Sequence, residues 1–554
     1  MDLQSVIRKH ALKNAFDFGK ASSGSVVGKV IGEFPDAKSD MKTTMQKITE
    51  TINEVNSLSK EQIETELKNY IFAEKPKEEK KALQLPNAEE GKVITRFPPE
   101  PSGYPHIGHA KAAYLDYESA KQHSGHMVLR FDDTNPEKES QEYVDAIKEG
   151  LNWLGVTWEK ETYTSDNMER IYSSAEKLIS RGKAYICTCK QEIISKLRAE
   201  MKACACRELP IEKVFERWEI MLAGKYKVGQ AIVRFKGDLS SLNTVMRDPM
   251  LARLINITHY RQGKKYQVWP GYDLAVVVMD NIEGITHPMR TKEYELRNEL
   301  YYSMVEILEF KKPTLIEFSR LDIKNAPISK RLLAPLVKEK KVLGWDDPRL
   351  PTLAGLKRRG ILPQAIKNFV MSFGLSKVES EPGWEALLVE NKKLLDPVAK
   401  HYFFVTDPVK LSINIKGEVS YVLKASPRKT VLNGKVYLPK TDTEKFAAGE
   451  VIALKDLAFA KFDGKKLEKV EQENIPEKKV QWVNPDDCIA CDILVPKDLF
   501  DGEVFQTNSL EIKKGYCESV CNDLNIGDVI QFERFGFCRL DKKTEKKLTF
   551  IFSC

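Results

Sequence analysis

The stretch KVITRFPPEPSGYPHIGHAKAAY (92–114) decides the fold, because it joins a short β-branched strand to a helix through a loop rich in proline and glycine. The helix is predicted over about 108 to 123, and a second strand follows in HMVLRFDD (126–133). A strand, a helix and a strand within about 40 residues form a βαβ unit. The sequence therefore predicts a parallel sheet that begins here.

Two of the chain's eight histidines lie where this loop meets the helix: His106 comes just before the helix and His109 lies in its first turn, with Gly108 between them. The loop contains neither GxxxxGK[ST] nor GxGxxG, so the two commonest phosphate-binding loops are excluded for this unit. A helix N-terminus favours anions, and ring N–H groups there can donate to them. Gly108 has no Cβ, which lets a flat ring or a ribose approach the backbone. These features indicate a phosphate site, although each histidine alone could be a surface or capping residue.

Composition sets the broad class. A chain of 554 residues, 42% hydrophobic, is long enough for three to five packed units at roughly 100 to 200 residues each. A net charge of +7 permits a polyanionic partner but also suits an ordinary enzyme. No apolar run approaches the ~20 residues of a membrane helix, and the first residues lack the apolar region of a secretory signal. We therefore expect a cytoplasmic protein without a membrane partner.

The chain around the βαβ unit changes character three times. Residues 1 to about 72 predict helices interrupted by a turn at ASSGSVVGKVIG (21–32), and a charged linker follows at 73–91 with a boundary near 88. LAVVVM (274–279) predicts a second buried strand that could belong to the same sheet as the βαβ unit. We therefore expect the residues between these two parts of the sheet to form an inserted domain. Past about 405, short strands broken by turns, such as NIKGEVSYVL (414–423) and KLTFIF (547–552), favour β-barrels.

A second motif, NAPISKRLL (325–333), forms a small cationic loop with Ser329, Lys330 and Arg331. Together with PHIGH it resembles the HIGH and KMSKS signatures of class I aminoacyl-tRNA synthetases. The second signature is reduced, because Ala326, Pro327 and Ile328 precede Ser329. The blocks LRFDDTNPEKE (129–139), GITHPMR (284–290) and GWDDPRLPTLAGLKRRGI (344–361) extend the resemblance over some 280 residues, to the glutamyl- and glutaminyl-tRNA synthetases of the archaeal and eukaryotic type.

The resemblance implies an activation reaction that needs little covalent help, since an ionised carboxylate attacks the α-phosphorus of ATP. The transition state requires positive charge and hydrogen-bond donors on the phosphates, which His106, His109 and Lys330 can supply with Mg²⁺. The residues implied in ATP binding are Gly108, His106, His109, Ser329, Lys330 and Arg331.

The resemblance also implies an amino-acid pocket. Arg96 and Asp132 should face the amino acid, with Asp132 binding its α-ammonium group, and Tyr272 should line the pocket. At the position of Arg290, glutamyl enzymes carry arginine and glutaminyl enzymes a small uncharged residue. Val276 stands where glutaminyl enzymes carry a pocket histidine. Both positions favour glutamate, because a buried guanidinium binds a carboxylate bidentately and would stay unpaired beside an amide.

Cys187, Cys189, Cys204 and Cys206 form two C-x-C pairs separated by 14 residues. Four thiolates at this spacing suit a structural, tetrahedral zinc ion. Cys488 with Cys491, and Cys517 with Cys521, could also bind a metal, but buried core thiols are the preferred interpretation.

The predicted fold class is a multidomain α/β plus β protein. Its expected parts are an N-terminal helical extension and linker (1–88), two halves of a Rossmann-type catalytic domain (89–184 and 256–335), an acceptor-end-binding insertion with the zinc (185–255), a helical connector (336–404) and an anticodon-binding β-barrel region (405–554).

The partners expected from the resemblance are glutamate, ATP and tRNA-Glu, with tRNA-Gln as a second tRNA left open. The N-terminal segment resembles small helical tRNA-binding tails, and a docking module for a partner protein is equally consistent. Two rival functions remain: a glutaminyl-tRNA synthetase, which Arg290 argues against, and a tRNA-binding paralogue that has lost activation, which the intact His106, His109, Ser329 and Lys330 argue against.

Overall fold

The computed structural model describes residues 2–70, 83–424, 426–472 and 474–554. The chain forms two compact units, Met1–Ala82 and Leu83–Cys554. This division lies a few residues before the boundary predicted near 88, and residues 71–82 of the predicted linker fall outside the described residues.

The first unit consists of helices around a small apolar core, and they are α1 (Leu3–Phe18), α2 (Ser23–Glu33), α3 (Met41–Asn56) and α4 (Lys60–Leu67). The turn predicted at 21–32 is wrong, because most of it is helix α2. Val26 and Val30 are fully buried on one side of α2. Burial of this apolar face outweighs the glycines of the segment, each of which costs a helix about 1 kcal/mol.

The second unit begins with the predicted βαβ unit, which is confirmed. Its elements as far as residue 199 are β1 (Ile94–Phe97), α5 (Ile107–Gln122), β2 (His126–Phe131), α6 (Gln141–Leu154), β3 (Lys160–Tyr163), α7 (Met168–Ser180), β4 (Ala184–Cys187) and α8 (Gln191–Ala199). Strands β1, β2 and β3 are parallel neighbours, so the loops that follow them open at one edge of the sheet.

The chain then completes an antiparallel sheet and returns to the parallel one. The next elements are α9 (Ile211–Leu222), β5 (Ile232–Phe235), β6 (Met250–Leu254), β7 (Val268–Pro270), α10 (Tyr272–Ile282), β8 (Met289–Thr291), α11 (Asn298–Leu308), β9 (Ile316–Phe318) and α12 (Lys330–Lys338). Strands β4 to β7 form an antiparallel sheet, and the residues predicted as an insertion (185–255) supply β5 and β6. Strand β8 pairs in parallel with β9, and backbone N–H groups just before β8 donate to Ile94 of β1.

The strand predicted at LAVVVM is wrong, because these residues lie in helix α10. Every residue from Asp273 to Asp280 is buried, so the run has neither the polar face of a surface helix nor the alternation of a half-buried strand. Its β-branched valines favoured a strand, but tertiary burial decides the structure of such short runs. The strand that comes next to β1 is β8, which pairs with β9 in a separate two-stranded parallel sheet.

Three helices connect the parallel layer to the β-rich region, and they are α13 (Leu353–Arg359), α14 (Pro363–Met371) and α15 (Trp384–Leu395). The region after them contains the predicted short strands. Its elements are β10 (His401–Tyr402), β11 (Phe404–Thr406), β12 (Pro408–Leu423), β13 (Ser426–Pro439), α16 (Lys440–Thr443), β14 (Val451–Leu454), β15 (Ala458–Phe462), β16 (Lys466–Val470), β17 (Lys479–Val480), β18 (Cys488–Pro496), β19 (Phe500–Asp501), β20 (Val504–Phe505), β21 (Leu510–Glu518), β22 (Val529–Phe532), β23 (Gly536–Lys543) and β24 (Lys547–Phe552).

The described strands of this region form a six-stranded sheet of order β13-β12-β16-β15-β14-β17, a seven-stranded sheet of order β10-β22-β23-β24-β18-β21-β11 and a small two-stranded sheet of β19 and β20. Each of the two larger sheets has its own apolar core. The β-rich expectation is therefore confirmed as two barrel-like sheets.

Candidate active site

The two histidines of the opening loop cap helix α5. The backbone N–H of Gly108 donates to Nδ1 of His106 at 3.1 Å, and the backbone N–H of His106 donates to Nδ1 of His109 at 3.2 Å. Because each Nδ1 accepts a hydrogen bond, the proton of each neutral ring lies on Nε2. The sequence at the helix start thus fixes two side-chain N–H donors whose Nε2 atoms bond to none of the described residues.

Burial keeps both rings uncharged near neutral pH. It lowers the pKa of His106 well below its ordinary value and the pKa of His109 to about 4. The ring centroids are 3.9 Å apart, so a charge on one ring also disfavours a charge on the other. These histidines can therefore meet a phosphate as neutral hydrogen-bond donors rather than as cations, with the helix N-terminus adding its dipole.

Gly108 packs closely against the ring of His106. A Cβ there would lie 3.0 Å from two ring atoms of His106 and 3.5 Å from Cδ1 of Ile328. A side chain at 108 would therefore require the His106 ring to shift by a few tenths of an ångström. This steric reason adds to the ligand access predicted from the sequence.

The second loop lies against the first. Lys330, the first residue of α12, donates its Nζ to the carbonyl of Ser102 and sits 4.4 Å from the centre of the Tyr143 ring. Ser329 is the N-cap residue of α12 and lines a cavity of about 820 Å³ that extends toward Phe500. Arg331 is exposed and makes no hydrogen bond or ion pair with any described residue. The structure thus brings Lys330 beside the histidine loop and leaves Arg331 in solvent.

Asp132 follows β2 at the edge where the parallel strands end. Its Oδ1 accepts a hydrogen bond from Thr164 Oγ1 at 2.8 Å. Burial raises its pKa to about 6, against the opposing charge of Arg130 and the Thr164 hydrogen bond. A carboxylate that is buried with only partial compensation is suited to bind an ammonium group.

Arg96 is more deeply buried than expected for a residue whose main role is to contact the amino acid. Its side chain is 1% exposed, with Nε 3.2 Å from Asp280 Oδ1 and Nη1 donating to the carbonyl of Met289. Only Nη2 is left without a partner among the described residues. Arg96 therefore borders the predicted pocket while serving mainly as part of a buried ionic cluster.

Tyr272 begins α10 and packs against Tyr294 in a tilted arrangement, with ring centroids 4.6 Å apart. Burial raises its pKa to about 12, although the nearby charges of Arg96 and Arg290 oppose that rise. The hydroxyl of Tyr272 thus lies where these two guanidinium groups converge. Val276 is buried in the next turn of the same helix.

Arg290 is buried in β8, and its guanidinium has hydrogen-bond donors that no described residue uses. Nη2 donates to Asn298 Oδ1, and Cζ lies 5.4 Å from the centre of the Tyr301 ring. Nε is buried and has no hydrogen-bond partner in the described part of the chain. A buried donor of this kind costs about 1–3 kcal/mol unless something fills its bonding direction.

Sequence reasoning missed the ionic cluster that supports the pocket. Arg130 donates Nη2 to Asp280 Oδ1 at 2.6 Å and to Glu283 Oε2 at 2.5 Å, and Tyr301 donates to Asp280 Oδ2 at 2.9 Å. The signal that could have found it is Asp280, an acidic residue at the end of a run of eight buried positions. Carboxylates are almost never fully buried without a cationic partner.

The four cysteines of the insertion converge as predicted. Their Sγ atoms all lie within 4.8 Å of one another, with Cys187 to Cys204 and Cys189 to Cys206 both at 3.9 Å. A tetrahedral zinc site with Zn–S bonds of about 2.3 Å has S–S edges of about 3.8 Å. The donor set and its spacing therefore fit a zinc ion.

The other cysteine pairs lie in the seven-stranded sheet. Cys491, Cys517 and Cys521 are fully buried in its core. Despite burial, contacts with Cys491 and Cys521 lower the pKa of Cys517 to about 5. Among the residues that the structure describes, the only group of three or more such ligands close enough for a metal is the one in the insertion. Over the same residues, no helix is long and apolar enough to cross a membrane.

Comparisons with known proteins identify the family of the chain. Residues 92–397 match the family described as tRNA synthetases class I (E and Q), catalytic domain, and residues 399–481 and 479–541 match two anticodon-binding domains of the same group.

Two curated relatives cover nearly the full chain. A glutamate–tRNA ligase of Nitrosopumilus maritimus (strain SCM1) is 42% identical, over 99% of this chain and 99% of its own. A glutamate–tRNA ligase of Thermococcus kodakarensis is 38% identical, over 100% of this chain and 99% of its own.

One solved structure that matches is a crystal structure of a glutamate–tRNA synthetase from Elizabethkingia anophelis. The two are 22% identical, and the match covers 56% of this chain and 71% of the other with a TM-score of 0.40.

Proposed function

The chain belongs to the class I tRNA synthetases of the E and Q group, and on this premise we propose that it is a glutamate–tRNA ligase. It activates glutamate with ATP to glutamyl-adenylate and pyrophosphate, then transfers glutamate to the 3′-terminal adenosine of tRNA-Glu. The observation that carries the choice of amino acid is the buried guanidinium of Arg290, whose Nε lacks a partner among the described residues.

Activation follows from the two loops that meet at the sheet edge. The Nε2–H groups of His106 and His109 donate to phosphate oxygens, and Lys330 moves from the Ser102 carbonyl to the departing pyrophosphate. Mg²⁺ on the triphosphate adds positive charge. Because the attacking carboxylate is already ionised, no general base is required. The contribution of the chain is charge stabilisation and placement of the reactants.

Discrimination between glutamate and glutamine follows from charge. A carboxylate fills the unused donors of Arg290 and pairs with its charge, whereas an amide offers one neutral oxygen and turns N–H groups toward a cation. A hydrogen bond between charged groups contributes about 1.5–3 kcal/mol, so loss of Arg290 should reduce kcat/KM for glutamate by ~10²-fold.

The tRNA is bound at two ends of the second unit. The two barrel-like sheets read the anticodon, and the insertion handles the acceptor end. Zinc on Cys187, Cys189, Cys204 and Cys206 would hold the insertion's loop in place, because four thiolates leave no open position for catalysis. The six-stranded sheet exposes several lysines in its turns, as a polyanionic partner requires.

Charging of purified tRNA-Glu and tRNA-Gln with labelled glutamate and with labelled glutamine tests the proposal. We expect wild type to attach glutamate to tRNA-Glu, and Arg290→Ala to lose ~10²-fold in kcat/KM for glutamate with a smaller change for ATP. The matched control is Arg170→Ala, since Arg170 is an exposed arginine of the same unit.

The outcomes separate the alternatives. Glutamate on both tRNAs would extend the function to a non-discriminating ligase. Glutamine attached by wild type would replace the proposal with a glutaminyl enzyme, and no charging of either tRNA by well-folded protein would favour a non-catalytic tRNA-binding protein.

A further inference from the structure

A chain of polar side chains begins at Arg290 and leads away from the pocket. Arg290 on β8 and Glu317 on β9 are direct Cα partners in the parallel pair. They do not bond to each other. Instead Asn298, at the start of α11, lies between them and contacts both.

The orientation of Asn298 is fixed by its neighbours. Its Oδ1 accepts from Arg290 Nη2, and its Nδ2 donates to Glu317 Oε1. A guanidinium can only donate and a carboxylate can only accept, so the reversed amide would place like groups together at both ends. The amide plane of Asn298 therefore holds one edge of the Arg290 guanidinium in a single direction.

The negative charge of Glu317 is satisfied elsewhere. Its Oε2 lies 2.5 Å from Lys377 Nζ. Although burial raises its pKa, the hydrogen bonds from Lys377 and Asn298 outweigh that effect and the pKa of Glu317 is lowered. Glu317 is thus ionised at neutral pH, and its direct contacts are with Lys377 and Asn298, while Arg290 acts on it only through space.

We propose that Asn298 and Glu317 are positioning residues for glutamate specificity: they orient Arg290 through a neutral amide, so that among the described residues no carboxylate is in direct contact with its guanidinium. This inference rests on the proposed function. A carboxylate in direct contact with Arg290 would compete with the substrate's side-chain carboxylate and weaken discrimination against glutamine. A neutral amide supplies the orientation without that competition.

The test is a set of substitutions that change charge and orientation separately. Asn298→Asp places a carboxylate on Arg290, and we expect KM for glutamate to rise by ~10²-fold while KM for ATP stays within about twofold. Asn298→Ala removes orientation alone and should raise KM for glutamate by ~10-fold. Glu317→Gln keeps an acceptor for Asn298 and should retain wild-type KM, whereas Glu317→Ala should behave like Asn298→Ala.

The matched control is Asn368, which accepts a hydrogen bond from Gln364 and donates one to Glu390 on the connector helices. Asn368→Asp should leave both KM values unchanged, and melting temperatures should show that every variant is folded.

The readout is glutamate charging of tRNA-Glu, with competition by glutamine measured in the same reaction. Asn298→Asp should lower the preference for glutamate over glutamine. Unchanged glutamate KM in Asn298→Asp, or equal rises for glutamate and ATP, would overturn the inference. Failure of wild type to charge glutamate would instead overturn the proposed function, so the two failures are distinguishable.

Discussion

Replacing Cys189 with serine should remove one bound zinc ion and loosen the insertion. Cys189 suits the test because it is the one cysteine of the four that is not fully buried, so a serine there adds the smallest cost of burying an unpaired hydroxyl. Cys488→Ser is the matched control, since Cys488 is also partly exposed but lies in the β-rich region.

The expected magnitude follows from the geometry of the sulfur atoms. Two Sγ–Sγ distances are already 3.9 Å, against about 3.8 Å for a zinc tetrathiolate, and the others are within 4.8 Å. Binding thus needs shifts of at most about 1 Å, so little of the zinc affinity is lost in rearranging the chain. At free zinc 1,000-fold above Kd, binding stabilises the folded state by about 4 kcal/mol.

The assay combines metal content with thermal unfolding. Wild type and Cys488→Ser should carry one zinc per chain, while Cys189→Ser should carry less than a tenth of that. A strong chelator should lower the melting temperature of wild type and have little effect on Cys189→Ser.

A milder variant tests the same site without removing a ligand. Arg217 Nη1 donates to Cys206 Sγ at 3.3 Å, so Arg217→Met should weaken zinc binding by ~10- to 100-fold.

Equal zinc content and equal melting curves in wild type and Cys189→Ser would refute the reasoning.

Two further predictions concern the chemistry of the active site. Replacing His106 or His109 with alanine should slow adenylate formation by ~10²-fold or more, measured as pyrophosphate exchange with tRNA present, because a phosphate donor is lost; an equal loss of tRNA affinity would contradict that role. The kcat/KM for glutamate should fall as pH drops through about 6, because Asp132 takes up a proton there and loses the charge that binds the ammonium. The pH at which kcat falls should be lower than the pH at which kcat/KM falls, because the bound ammonium group stabilises the ionised form of Asp132. If both parameters fell at the same pH, that result would count against Asp132.

The sequence predicted well the elements whose structure is determined by residues close together in the chain. The βαβ unit was readable because β-branched residues, a proline- and glycine-rich loop and a helix signal follow one another within 92–133. The cysteine site was readable because ligand spacing is itself the signal. The resemblance supplied the candidate pocket residues, and in the structure Tyr272 lies near Arg290 while Asp132 directly follows β2.

The elements that sequence predicted badly depend on distant contacts. Helix α10 was mistaken for a strand because its valines are buried on all sides by elements remote in sequence, which removes any periodic signal. Helix α2 was mistaken for a turn because its glycines are local breakers, whereas burial of Val26 and Val30 depends on α1 and α3. The position of Asn298 could not be predicted, since it depends on the pairing of β8 with β9.

The charges around the pocket explain why one arginine can select the substrate. Arg96 and Arg130 share Asp280, and Arg130 also binds Glu283, so two cations and two anions balance within the buried cluster. Arg290, in contrast, meets a neutral amide. A buried site with one cation that contacts no carboxylate among the described residues, and with the carboxylate of Asp132, matches an amino acid whose side chain is negative and whose α-amino group is positive. An uncharged side chain would leave the cation of Arg290 unpaired in a site that water does not readily reach, and that cost, rather than any difference in shape, opposes glutamine.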